Sequence, residues 1–179
     1  MGIRREPLDQ LLLRHGADQG KLADAKTHAE RAGMSLLGGI ARTKAVEDDA
    51  LAQALGEITG LEVLKDVEVE DIDIELIRQV PLGLARDQGV LPLWNREGTV
   101  EVALSSPTSI GSLDDFRVLF GSAVRAFIMA PGQLRDLTNA AYDAASRTAS
   151  AVIDEIEEEE GYVADDLQLG EDLLDDPNQ

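Results

Sequence analysis

Gly38 and Gly39 stand side by side in Ser35-Leu36-Leu37-Gly38-Gly39-Ile40-Ala41-Arg42-Thr43-Lys44, just ahead of the acidic run Glu47-Asp48-Asp49. Adjacent glycines can let a backbone close on a phosphate. The competing reading is a bend or a close contact between helices, and a lone Gly-Gly favours that one. His15 and His28, the two histidines of the chain, have no cysteine beside them and no fixed carboxylate spacing, so they read as helix-surface residues rather than metal ligands. Ser105-Ser106 lacks His and Asp partners in its part of the chain and reads as a strand-to-helix turn, not a nucleophile. Asp71, Asp73 and Glu75 begin like a calcium loop, but Leu76 occupies the place of the required glycine and the closing Glu is missing. No Gly-x-x-x-x-Gly-Lys-Ser/Thr occurs. The expectation is a non-enzyme with no catalytic residue, metal or cofactor.

The elements that would carry these residues are bounded by length and charge. A chain of 179 residues, 44% hydrophobic, can bury a real core. Twelve of its 35 acids lie between Thr148 and Gln179, with no Lys or Arg among them, so much of the net charge of −19 belongs to the last stretch. Acidity of this kind repels phosphate backbones and anionic headgroups, which argues against nucleic acid and direct membrane insertion. No apolar run approaches the ~20 residues of a membrane span. The absence of cysteine fits a reducing compartment. The expected location is cytoplasmic.

Periodicity divides the chain in three. Over 1–60, the apolar positions Leu8, Leu11 and Leu12, then Leu22, Ala25 and Ala29, then a short stretch over 35–43, then Leu51, Leu55 and Ile58, predict four helices with stops near Gly16, Gly33 and Gly60. The segment Pro7 to Gly16 can be laid on Ser35 to Lys44 as a faint repeat. Over 61–147, Asp73 reads as the cap of a short helix, Val90–Trp94 and Thr99–Leu104 as strands joined by a turn at 95–98, and Val124–Met129 as a third strand. Ser112 reads as the cap of a helix carrying Leu113, Phe116 and Phe120, and Pro131 opens a last helix. Residues 148–179 read as an acidic, flexible linker or tail, disordered. The fold class is α+β: a helical subdomain, then a small α/β subdomain with a short sheet.

Pro81-Leu82-Gly83-Leu84-Ala85-Arg86-Asp87-Gln88-Gly89-Val90-Leu91-Pro92-Leu93, the strand Val100–Leu104, Ser106-Pro107, Leu113-Asp114-Asp115-Phe116 and Ala130-Pro131 follow one another in an order that resembles the N-terminal, MshEN-type domain of type II secretion and type IV pilus assembly ATPases. The resemblance covers roughly residues 7–143. It implies a non-catalytic docking module whose partner is the cytoplasmic part of an inner-membrane secretion or pilus platform protein, together with a motor ATPase. Such an ATPase would continue beyond Gln179, so the chain is expected to be either part of a longer protein or a stand-alone adaptor acting through its acidic tail. A monomer or weak dimer is expected.

Some members of that family bind cyclic di-GMP through two tandem helical motifs, each opening Arg-Leu-Gly and closing with glutamine. Arginine supplies a planar cationic fork, glycine lets the backbone approach, and glutamine pairs hydrogen bonds. Here the first motif places Pro7, Leu8 and Asp9 at its opening and Ala29 at its close. The second places Ser35, Leu36 and Leu37 at its opening and Ile58 at its close. Only the leucines remain. These degenerate positions, Pro7, Asp9, Ala29, Ser35, Leu37 and Ile58, count against cyclic di-GMP as a partner. The alternative is a divergent cyclic di-GMP-binding regulatory domain, in which Arg5, Arg14, Arg31, Arg42 or Lys44 replaces the lost arginines.

Overall fold

The computed structural model describes the backbone of residues 6–171, with side chains described for 6–153 and 156. The chain separates into two compact units, Met1–Tyr142 and Asp143–Gln179. The first opens with four helices, α1 (Leu8–Arg14), α2 (Gln19–Ala32), α3 (Leu36–Thr43) and α4 (Asp48–Thr59). Side-chain oxygens start two of them: Asp18 accepts from the Lys21 amide at the head of α2, and Ser35 accepts from the Gly38 amide at the head of α3. Both α2 and α4 stop at a glycine, Gly33 and Gly60, as the sequence predicts.

The α/β part follows. Asp73 caps α5 (Ile74–Gln79) by accepting from the Glu75 amide at 3.0 Å. Next comes α6 (Leu82–Gln88), entered through Pro81. Strands β1 (Val90–Arg96) and β2 (Thr99–Leu104) form an antiparallel hairpin. Its two-residue turn is Glu97-Gly98, both at positive φ (52° and 78°), the geometry that matches the right-handed strand twist. A 3-10 turn (Pro107–Ser112) and α7 (Leu113–Phe120) then cross over to β3 (Ala123–Ile128), which pairs with β2 in parallel. The sheet order is β1-β2-β3, and Val63 bridges to Ile128 on the outer edge of β3. Pro92 is tolerated because β1 is an edge strand with a register shift between Pro92 and Trp94.

The central strand explains the core. Val100, Val102 and Leu104, at most 1% exposed, share one face and join a single apolar cluster with Leu12, Leu55, Ile128 and Phe116. On the opposite face Glu101 is 6% exposed, a carboxylate inside the sheet. It accepts from the Trp94 indole Nε1 and lies 3.6 Å from both Arg96 and Arg125. Each guanidinium in turn covers an aromatic ring, Arg96 over Trp94 at 4.5 Å and Arg125 over Phe127 at 4.8 Å.

The cap expected from Ser112 is placed otherwise. Ser112 itself has helical dihedrals and donates to the Ser109 carbonyl at 2.7 Å, so it cannot cap α7. Ser106 instead caps the 3-10 turn through the Thr108 amide.

The last helix, α8 (Pro131–Glu171), begins in the first unit. Its Tyr142 hydroxyl donates to the Val80 carbonyl at 2.6 Å, and burial pushes the phenol from 10.0 up to about 12. Because the folded chain holds that proton more tightly, the resulting stability is complete below pH 10 and is lost as pH rises from about 10 through 12. Denaturant midpoints should therefore show Tyr142→Phe less stable by about 1 kcal/mol at neutral pH, with the gap to the unaltered chain narrowing over that alkaline range. The second unit consists of the rest of α8, helical as far as Glu171, with Val152, Ile153 and Ile156 exposed. A run rich in Ala and Glu has high helix propensity, and the first part of the expected flexible tail is helical instead. The remainder of that tail, 172–179, lies outside the described residues.

Candidate ligand-binding site

The helical quartet pairs crosswise, α1 with α4 and α2 with α3. The opening of the first motif lies at the head of α1, whereas Glu57, next to the close of the second motif on α4, meets Arg14 and His15 at the far end of α1. The opening of the second, on α3, is beside the close of the first, on α2. Pro7 sits exposed at the head of α1, and Asp9, in its first turn, faces Lys26 at 3.7 Å. Ala29 is buried in α2, Ser35 is occupied as the α3 cap, and Leu37 and Ile58 are partly buried against the core. The structure thus brings Asp9 near a cation of its own chain, and gives Ala29, Leu37 and Ile58 packing roles.

The double glycine resolves into two different positions. A Cβ on Gly39 would lie 2.5 Å from the Ala25 carbonyl oxygen and 2.9 Å from the Ala29 methyl, so Gly39 is where α2 and α3 approach backbone to side chain. Gly38 has ordinary space around it, 3.4 Å to the nearest atom, and gives its amide to Ser35. The pair is a helix contact plus a cap, and neither amide is set out as a phosphate cradle.

Cations near the quartet differ in how they are engaged. Arg14 is held by Glu6 at 3.0 Å and Glu57 at 2.5 Å, and His15 Nε2 meets the other Glu57 oxygen at 2.6 Å. That cluster ties the end of α1 to α4; the sequence hid it because its members are over forty positions apart. Arg31, Arg42 and Lys44 are exposed and carry no ion pair among the described residues. Arg42 lies in the last turn of α3, and Lys44, at φ 48°, closes that helix. Arg5 lies outside the described residues. Lys44 also lines a cavity of about 440 Å³ whose walls include Glu47, Asp48 and Asp136, an acidic setting for an anion.

Residues 59–148, half of the chain, match the MshEN domain family. The chain belongs to that family. The match begins at the end of α4, so it rests on the α/β part and not on the quartet. Among solved structures, that of MshE with cdg (cyclic di-GMP) shares the fold of this MshEN chain, with a TM-score of 0.55 and 20% identity over 77% of this chain and 100% of that one. Two crystal forms of the XpsE N-terminal domain are also similar, at 19% and 16% identity, TM-scores of 0.47 and 0.49, and coverage of 74% and 76% of this chain and 91% and 97% of theirs. No curated protein sequence matches.

One expectation is corrected by this. The loss of Arg-Leu-Gly and glutamine argued against cyclic di-GMP as a partner, yet MshE, a protein of this fold, has been solved with that dinucleotide. The expectation weighed side chains one position at a time. An anion site can equally be made by cations standing elsewhere on the same helical surface, and the unpaired Arg31, Arg42 and Lys44 show that such cations are present.

Proposed function

We propose that this MshEN domain is a non-catalytic regulatory domain of a type II secretion or type IV pilus ATPase system that binds cyclic di-GMP through altered residues. The observation that supports this is the shared fold with MshE solved with the dinucleotide. In this reading the Pro7, Asp9, Ser35 and Leu37 positions no longer contact the ligand, and Arg42 supplies charge that the lost arginines gave. A guanidinium offers phosphate two parallel donors, so a single arginine can dominate such a site. The protein acts in the cytoplasm, and no helix among the described residues is long and apolar enough to cross a membrane.

The test is calorimetric titration of Arg42→Ala beside the unaltered chain. Affinity for cyclic di-GMP should fall about tenfold or more, as expected for loss of one charge-assisted pair. Equal affinity in the two proteins would remove Arg42 from the site.

A second reading, docking onto the cytoplasmic part of a membrane platform protein, is favoured by α7. That helix buries Leu113 and Phe116 yet leaves Val118 83% and Leu119 44% exposed. Apolar side chains presented together on one helix suit a protein surface. The two readings are compatible, since they use different parts of the chain.

A further inference from the structure

A cavity of about 410 Å³ opens between α6, the end of β2 and the first two turns of α8. Its lining residues all belong to the α/β part, and one of them, Arg135, also borders the cavity next to α3 and α4. Its floor is apolar, with Ala85 and Leu134 buried beneath it. Its polar side chains are Arg86, Arg135, Ser105, Asn139 and Thr138, the last donating to the Leu134 carbonyl, and no carboxylate lines it. In a chain of net charge −19, a concave site with two guanidinium groups and no acid in its wall is opposite in sign to its surroundings.

The groups are also poised as donors. Arg86 Nη2 donates to Asn139 Oδ1 at 2.7 Å, a neutral partner that orients the guanidinium without cancelling its charge. The same bond turns the Asn139 amide so that its Nδ2 remains a further donor. Arg135 forms one ion pair, with Asp136 at 3.3 Å, exposed on both sides and therefore weak, and it also borders the adjacent cavity whose walls carry Glu47 and Asp48. The Ser105 hydroxyl makes no hydrogen bond among the described residues. It is held against the Gly89 backbone, where a Cβ would come within 2.6 Å of its oxygen and where φ is +59°. Glycine at 89 thus both ends α6 and keeps this corner of the cavity open.

We propose that this cavity binds a small organic anion, its phosphate or carboxylate between Arg86 and Arg135 and its apolar body on the Ala85–Leu134 floor. The size suits one small molecule, and few convergent polar groups over an apolar base is the usual composition of such sites. The inference is independent of the dinucleotide reading, because none of its residues belongs to the quartet.

The test is an amide chemical-shift titration of the full chain with phenyl phosphate and, separately, benzoate, with phenol as the uncharged control. Saturable shifts centred on Arg86, Gly89, Ser105, Arg135 and Asn139 are expected for at least one anion, and phenol should move none of them. Binding by phenyl phosphate alone assigns a phosphate ligand; equal binding by benzoate assigns a carboxylate. The double variant Arg86→Gln/Arg135→Gln should weaken binding about tenfold or more, whereas Arg78→Gln, which removes a surface arginine of α5, should leave it unchanged. Absence of saturable shifts with both anions, or undiminished binding in a folded double variant, would overturn the proposal.

Discussion

Leucine at position 39 should unfold the quartet's inner pair, whereas alanine at position 38 should be tolerated. The Gly39 Cβ would meet the Ala25 carbonyl at 2.5 Å, and backbone cannot swing away as a flexible side chain can. To admit a leucine, α2 and α3 must separate, exposing Ala25, Ala29 and Ile40, all now at most 3% exposed. Overpacking of this kind costs about 3 kcal/mol or more when the obstacle is rigid. At Gly38 the nearest atoms are the Met34 sulfur and the Ser35 hydroxyl at 3.4 and 3.5 Å, so an added methyl is in ordinary contact. Alanine there gains up to about 1 kcal/mol of helix propensity. Thermal melts of the two variants check the contrast, and equal midpoints would show that Gly39 does not set the helix approach.

Removal of the Phe116 ring is expected to cost about 3–5 kcal/mol, the range for deleting a large aromatic from a core. Phe116 is 1% exposed in the single apolar cluster, and its ring lies 5.9 Å from that of Phe120. It anchors α7, the crossover that lets β3 lie parallel to β2, so the cavity left by Phe116→Ala opens beneath the sheet connection itself. Denaturant midpoints measure the loss. Val118→Ala, on the same helix but 83% exposed, should change stability by less than about 0.5 kcal/mol. A small effect at Phe116 would mean that α7 is held by something other than this contact.

These two cases also mark how far the sequence could be read. The helices of the quartet announce themselves by their leucine spacing and their glycine stops, and the hairpin by alternation around Asn95-Arg96-Glu97-Gly98. What makes Gly39 matter is the carbonyl of Ala25 on another helix, which no local pattern contains. The α6 helix escapes notice because its seven residues include a glycine and carry a single buried side chain, Ala85. Its formation owes more to the entry fixed by Pro81 and to packing than to propensity. The parallel pairing of β2 with β3 is likewise a tertiary fact, since strand alternation says nothing about direction. At the candidate site the inference against cyclic di-GMP, drawn from single motif positions, is overturned by MshE, a protein of this fold solved with that dinucleotide. Arg86 and Asn139, 53 positions apart, meet only in the fold.

Binding of cyclic di-GMP by this MshEN domain is measured by titrating the unaltered chain with the dinucleotide in a calorimeter at physiological salt, with GTP as control. Saturable heat with the dinucleotide and none with GTP is the predicted result. Absence of heat with cyclic di-GMP at tens of micromolar protein, or an equal response to GTP, would contradict it.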